Sequence, residues 1–164
     1  MQIDLYRASA DEQQIIGNLI QLYSYEFSTL CDTDVEYDGL FDWDGLEDYW
    51  NDTSLHPFLC KVKQKIAGFA LIQRLSVVTG ATNVWDMEDF FILEKYKRNG
   101  VGSAMLSELF REFTGQWEIR VLNGNNRALE FWNHVISKQC GASVQPAPTL
   151  INGRKFDVFS FEVS

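Results

Sequence analysis

The chain has 164 residues, of which 46% are hydrophobic, 14% aromatic and 23% charged. Such a chain is expected to form one domain over residues 1–164 with a sizeable core, which excludes disorder as its main state. Its net charge of −9 is unevenly placed: no Lys or Arg lies between Arg7 and Lys61, while that stretch holds twelve of the 23 acids. A nucleic-acid binder would show a basic stripe instead, so no nucleic-acid partner is expected.

Residues 2–7 read as a first strand. Ser9-Ala-Asp-Glu12 is a capping box that opens a helix, with Ile16, Leu19, Ile20, Tyr23, Phe27 and Leu30 on one face and an end near Cys31. Residues 32–45 are a loop rich in Asp and Gly, followed by a short helix around Leu46–Trp50. Phe58–Lys63 and Ile66–Leu75 read as a hairpin turning at Gln64-Lys65. In the next strand, Asn83–Leu93, the alternation of Val84, Asp86 and Glu88 with Trp85 and Met87 gives way to the apolar run Phe90-Phe-Ile-Leu93. That change of pattern predicts a bulge or burial on both faces.

Gly100–Phe113 reads as a helix stopped by Gly115, Trp117–Leu122 as a strand, and Asn126–Ser137 as a helix with Ala128, Phe131, Trp132 and Val135 inward. Asn152-Gly153 between two apolar runs predicts a closing hairpin. The order β-α-α-β-β-β-α-β-α-β-β is that of a mixed α/β domain.

The chemistry concentrates at Tyr96-Lys-Arg-Asn-Gly-Val-Gly-Ser103, between a strand and a helix. Free amides at a helix start bind phosphate, and Gly100 and Gly102 admit close backbone approach. Lys97 and Arg98 add positive charge. Neither a G-x-x-x-x-G-K-[ST] loop nor a G-x-G-x-x-G fingerprint is present.

The run Lys97-Arg98-Asn99-Gly100-Val101-Gly102 resembles motif A of the GNAT superfamily of acyl-CoA-dependent N-acyltransferases, with Lys97 in place of the usual Gln or Arg. Asn125-Asn-Arg-Ala128-Leu-Glu-Phe131-Trp132 is similar to that family's motif B. With the element order, the resemblance spans roughly Gln2 to Val163, and the stretch from Glu88 looks like a bacterial subgroup of predicted acetyltransferases.

The resemblance implies a twisted sheet splayed between strands 83–93 and 117–122, with acetyl-CoA as cosubstrate in the gap. It implies backbone amides of Phe91, Ile92 and Leu93 on the pantetheine, those of Arg98–Ser103 on the pyrophosphate, and Asn125 beside the cofactor. The implied reaction is direct attack by a primary amine, a cationic small molecule or peptide, on the thioester. A carboxylate raised by burial suits the task of taking the amine's proton. Glu88 is the first candidate and Asp89 the second, with Asp86 sharing the strand.

Trp132 stands where many family members have a Tyr that protonates the leaving thiolate, and an indole is no acid near neutral pH. Either Tyr96, Ser103, Cys140 or water donates instead, or the thiolate leaves unassisted, or the chain is a non-catalytic acyl-CoA-binding or sensing module.

Four features bear on partners and location. Asp34, Glu36, Asp38, Gly39 and Asp42 fall at positions 1, 3, 5, 6 and 9 of an EF-hand loop, but Gly45 occupies position 12 in place of the bidentate Glu, so no metal is expected. Tyr37, Phe41, Trp43 and Trp50 with these acids form either a docked acidic loop or a pocket for a cation. Cys31, Cys60 and Cys140 are odd in number and widely spaced, which argues for a reducing compartment. Without an apolar span or a basic leader, a cytoplasmic location and no membrane partner are expected, as a monomer or homodimer.

Overall fold

The structure is a computed structural model that describes all 164 residues. Seven strands form one sheet in the order β1-β2-β3-β4-β5-β7-β6. They are β1 (Asp4–Arg7), β2 (Leu55–Val62), β3 (Lys65–Gln73), β4 (Val84–Ile92), β5 (Gly115–Leu122), β6 (Ala147–Ile151) and β7 (Arg154–Val163). Four helices cover it: α1 (Gln13–Cys31), α2 (Asp48–Asn51), α3 (Val101–Glu112) and α4 (Asn126–Cys140). The order follows the sequence reading, with one-turn 3-10 helices added at Ala10–Glu12 and Glu94–Tyr96.

The sheet is buried on both faces. Val101, Met105, Leu109 and Phe110 of α3 and Trp132, Val135 and Ile136 of α4 pack on one face around Trp117 and Phe159. On the other face, Ile16, Leu19 and Ile20 of α1 and Tyr49 of α2 pack on Leu59, Phe69 and Leu71. Each such buried aliphatic side chain contributes about 1.5–3 kcal/mol.

Local chemistry explains where elements begin and end. The expected Ser9–Glu12 capping box is present, with the Ser9 amide donating to the Glu12 carboxylate at 3.0 Å, and α1 stops at Asp32, which takes a left-handed conformation (φ 51°). The first hairpin turns one residue earlier than predicted. Lys63 and Gln64 both have positive φ, the geometry of a two-residue hairpin turn, without the Asn or Gly that would have marked it. Asn152-Gly153 makes the last hairpin turn, as its residue types require. Gly115 does not stop α3; the helix ends at Phe113, and Gly115 is the first residue of β5. The last helix runs on to Cys140, and Gly141 closes it in a left-handed conformation.

Two features of β4 shape everything around it. Leu71 pairs with Asp89 and Ile72 with Met87, so Glu88 is an extra residue, a β-bulge. On its other side, β4 runs parallel to β5 and pairs only over Val84–Asp86 with Gln116–Glu118. Beyond that point the two strands part, while β5 stays paired with β7 along its length. Gly68 of β3 permits the close approach to β4, because a Cβ there would run into the Phe91 carbonyl oxygen. Gly68→Ala is therefore expected to cost about 1–3 kcal/mol through backbone displacement. Thermal unfolding would show it as a fall of several degrees, and an unchanged midpoint would contradict it.

Candidate active site

The bulge decides which side chains share a wall. Trp85, Met87 and Ile92 join the core under α3 and α4, and Phe90 stacks on Phe131 of α4. Asp86, Glu88 and Asp89 all turn to the α1/α2 face. Asp86 meets Gln73 and Arg120, Glu88 accepts a hydrogen bond from the Tyr49 hydroxyl, and Asp89 faces Tyr23. A regular strand would have put Asp89 on the opposite face. The structure thus brings together all three predicted carboxylates.

Their environments differ. Asp86 is fully buried and neutralised by a bidentate pair with Arg120, at 3.0 Å to Nε and 2.8 Å to Nη2, with the Gln73 amide donating at 2.9 Å. Asp89 is 8% exposed and has no such clamp. Burial, then the negative charge of Glu88, pushes its pKa up to about 7, against the smaller pull of Tyr23 and Arg120. Glu88 is half-buried and also raised, chiefly by burial, with the Tyr49 hydrogen bond acting the other way. Of the three, Asp89 is best matched to exchanging a proton near neutral pH. Next to them, Glu118 of β5 accepts a hydrogen bond from the buried Ser76 at 2.7 Å.

Tyr23, Tyr49, Gln73 and Arg120 did not stand out in the sequence. Tyr23 reads there as a core residue of a helix, and Arg120 as the outward partner of an alternating strand. The alternation is real, but its polar face is enclosed: Glu118 is held by Ser76 and Arg120 by Asp86.

The backbone of β4 presents free groups where β5 has left. The Leu93 amide donates to Ala67 O at 2.8 Å, toward β3. Antiparallel alternation turns Phe91 the same way and the amides of Phe90 and Ile92 outward, into the fork. Of the expected Phe91, Ile92 and Leu93, only Ile92 therefore offers its amide to the gap, and Phe90 offers the second.

At the far end of β4, Gly100 (φ 79°) begins α3 without a side-chain cap. The first intrahelical bond runs from the Ala104 amide to Gly100 O, which leaves Val101, Gly102 and Ser103 with amides free of intrahelical acceptors. The Val101 side chain is core, so it offers backbone alone. Gly102 serves packing: a Cβ there would sit 3.0 Å from the Phe131 ring. Lys97 is engaged by Glu26 of α1 and by Glu94, Arg98 is mostly exposed with φ 60°, and the Asn99 amide donates to Lys95 and Lys97 carbonyls. Asn125 uses its side-chain oxygen to cap α4 at the Ala128 amide. Trp132 is a core aromatic against Phe90, as helical spacing suggested.

The acidic loop does not gather its aromatics into one acidic pocket. Tyr37 is fully exposed, Trp50 donates its indole N–H to Ala8 O, and Phe41 is pinned to Gln21 by two backbone hydrogen bonds. A cavity of about 510 Å³ beside Leu40 and Trp43 is lined by Gln13, Gln14, Asn18 and Gln21 together with apolar residues and a single acid, Asp11. Cys31 is half-buried rather than core, Cys60 is core, and no helix is long and apolar enough to cross a membrane.

A carboxyl that binds its proton more tightly folded than unfolded stabilises the fold below its unfolded value, here an ordinary 3.8, and loses that contribution as pH rises through about 7. The thermal midpoint should therefore carry a component that falls between about pH 4 and about pH 7 and is flat above it. Asp89→Asn should remove that component, which parallel melts across this range would test; identical pH dependence in both proteins would refute the assignment.

The family model of the Acetyltransferase (GNAT) family matches residues 18–135. No curated protein matches the chain significantly. Among solved structures, a GNAT-family acetyltransferase from Bacillus cereus superposes with a TM-score of 0.66 at 11% identity, covering 100% of this chain and 99% of that one. NAA60 from Arabidopsis thaliana, in complex with a bisubstrate analogue, gives 0.64 at 10% identity and 98% coverage of both chains. The ribosomal-protein-S18-alanine N-acetyltransferase of Escherichia coli gives 0.58 at 13% identity, covering 99% and 95%. At such identities the likeness is one of fold, whereas the family match spans most of the chain: it belongs to the acetyltransferase (GNAT) family.

Proposed function

We propose that the protein transfers an acetyl group from acetyl-CoA to a primary amine by direct attack, without an acyl-enzyme. The observation that carries this reading is the fork itself. Free amides of Phe90 and Ile92 line its β4 edge, uncapped amides of Val101–Ser103 lie at the end of the same strand, and the carboxylates stand on one wall behind it.

The amides of Gly102 and Ser103, with the α3 dipole, suit the pyrophosphate of the cofactor. The Ile92 and Phe90 amides suit its pantetheine and the thioester oxygen, where negative charge develops during attack. Asp89 takes the proton of the ammonium group, and the free amine then forms the C–N bond as the C–S bond breaks. Trp132 cannot protonate the sulfur, which leaves as thiolate; the nitrogen gives its second proton to water as the amide forms, and water returns a proton to the thiolate. Acetyl-CoA supplies the acyl group, and NAA60 has been solved with it bound.

A cationic acceptor, a small molecule or a peptide N-terminus, fits best. Arg120 is bound to Asp86, so Glu88 and Asp89 have no cation paired to them directly, and its charge offsets only part of theirs. Three free cysteines suit a reducing cytoplasm.

Two measurements test this reading. Calorimetry with acetyl-CoA should show binding in the wild type and its loss in Ser103→Glu, whose carboxylate fills the anion site yet favours the helix start, so folding is spared. Equal affinity in both would move the cofactor elsewhere. Across a panel of primary amines, turnover should rise with pH through about 7. Asp89→Asn should lower it about a hundredfold or more while leaving acetyl-CoA affinity intact. Binding without turnover on any amine would favour the non-catalytic module, to which Trp132 already points.

A further inference from the structure

We propose that Arg120 is a positioning residue of this site: clamped by Asp86 and Gln73 where β4 and β5 part, it supplies the fixed positive charge that lets the Glu88–Asp89 wall ionise. The inference rests on the reading of Asp89 as proton acceptor.

The geometry is specific. Asp86 is the last β4 residue paired with β5, opposite Glu118, and Arg120 lies two residues further along β5, just past the parting. Its guanidinium reaches back across the fork with two hydrogen bonds to one carboxylate, and Gln73 of β3 donates to the same carboxylate. Three adjacent strands therefore meet at one carboxylate, held by a bidentate guanidinium and an amide.

Joining the strands does not account for it. The backbone ladder already pairs β4 and β5 at this place, and a buried ion pair is commonly matched in stability by apolar residues of similar size. What apolar residues could not supply is the charge. The charged and titratable groups acting on Asp89 are Asp86 and Glu88 on β4, Arg120 on β5 and Tyr23 on α1, with Tyr49 of α2 on Glu88. Arg120 is the cation among these three carboxylates. Burial and the like charges hold protons on Glu88 and Asp89, and Arg120 opposes both. The clamp fixes that charge in place, because a guanidinium with two of its donors bound to Asp86 cannot swing away.

The test follows the Asp89 carboxyl carbon by NMR across pH, with Asp89→Asn for assignment. In Arg120→Gln the Asp89 proton affinity should rise about tenfold, and in Arg120→Lys, which keeps the charge, it should stay within about threefold of wild type. Loosened packing would act in the opposite direction, since admitted water returns a carboxyl toward its ordinary range. An unchanged or lower midpoint in Arg120→Gln overturns the proposal.

Should that variant fail to fold, the wild type suffices. The Arg120 Nε–H resonance should titrate with the Asp89 midpoint, and a resonance that ignores the Asp89 transition overturns the proposal as well. Neither measurement needs turnover. An inactive enzyme with the expected titrations would refute the catalytic reading alone, and an active one without them would refute the role of Arg120 alone.

Discussion

One extra residue in β4 organises this molecule. The bulge at Glu88 turns Asp86, Glu88 and Asp89 onto a single face, and it lies just beyond the short stretch where β4 still pairs with β5. A regular strand would have sent Asp89 under α4, toward Phe131 and Trp132, where an unpaired carboxyl is costly. With the bulge, the apolar residues of β4 stay in the core and its acids stand together. The parting of β4 from β5 leaves the amides of Phe90 and Ile92 free. Carboxylate wall and fork thus come from two neighbouring irregularities of one strand.

The surrounding layers make that wall chemically useful. Helices α1 and α2 cover it and exclude water, and Tyr23 and Tyr49 place a hydroxyl against each of the two unclamped acids. Arg120 and Gln73 hold the third in a fixed, ionised pair. Three neighbouring acids on one strand thereby sit in separate environments: Asp86 paired with Arg120, Glu88 bonded to Tyr49, and Asp89 buried against Tyr23 with its pKa raised to about 7. Environments that push like groups apart are how one strand comes to hold different protonation behaviours.

Much of this was legible in the residues. Hydrophobic period and turn chemistry marked every strand and α-helix, and the broken alternation after Glu88 pointed to a bulge or to burial on both faces, of which the bulge is found. The glycines of the Lys97–Gly102 run located the start of α3. Other features depended on register and packing, which one sequence does not display. The direction of the β4 amides follows from the Leu93–Ala67 bond, and it moves the free donors to Phe90 and Ile92. The need for Gly102 comes from Phe131, brought there by α4. Lys97 looked like a phosphate ligand, yet it meets Glu26 from a helix 71 positions away. Arg120 carried no local signal, because its partners lie on two other strands.

The most direct test is a backbone amide spectrum of the wild type with and without acetyl-CoA. Shifts concentrated at Phe90, Ile92 and Gly102–Ser103, with Phe91 and Leu93 nearly still, are the predicted result. Shifts confined to other surfaces, or none at saturating cofactor, would contradict the fork as the acyl-donor site.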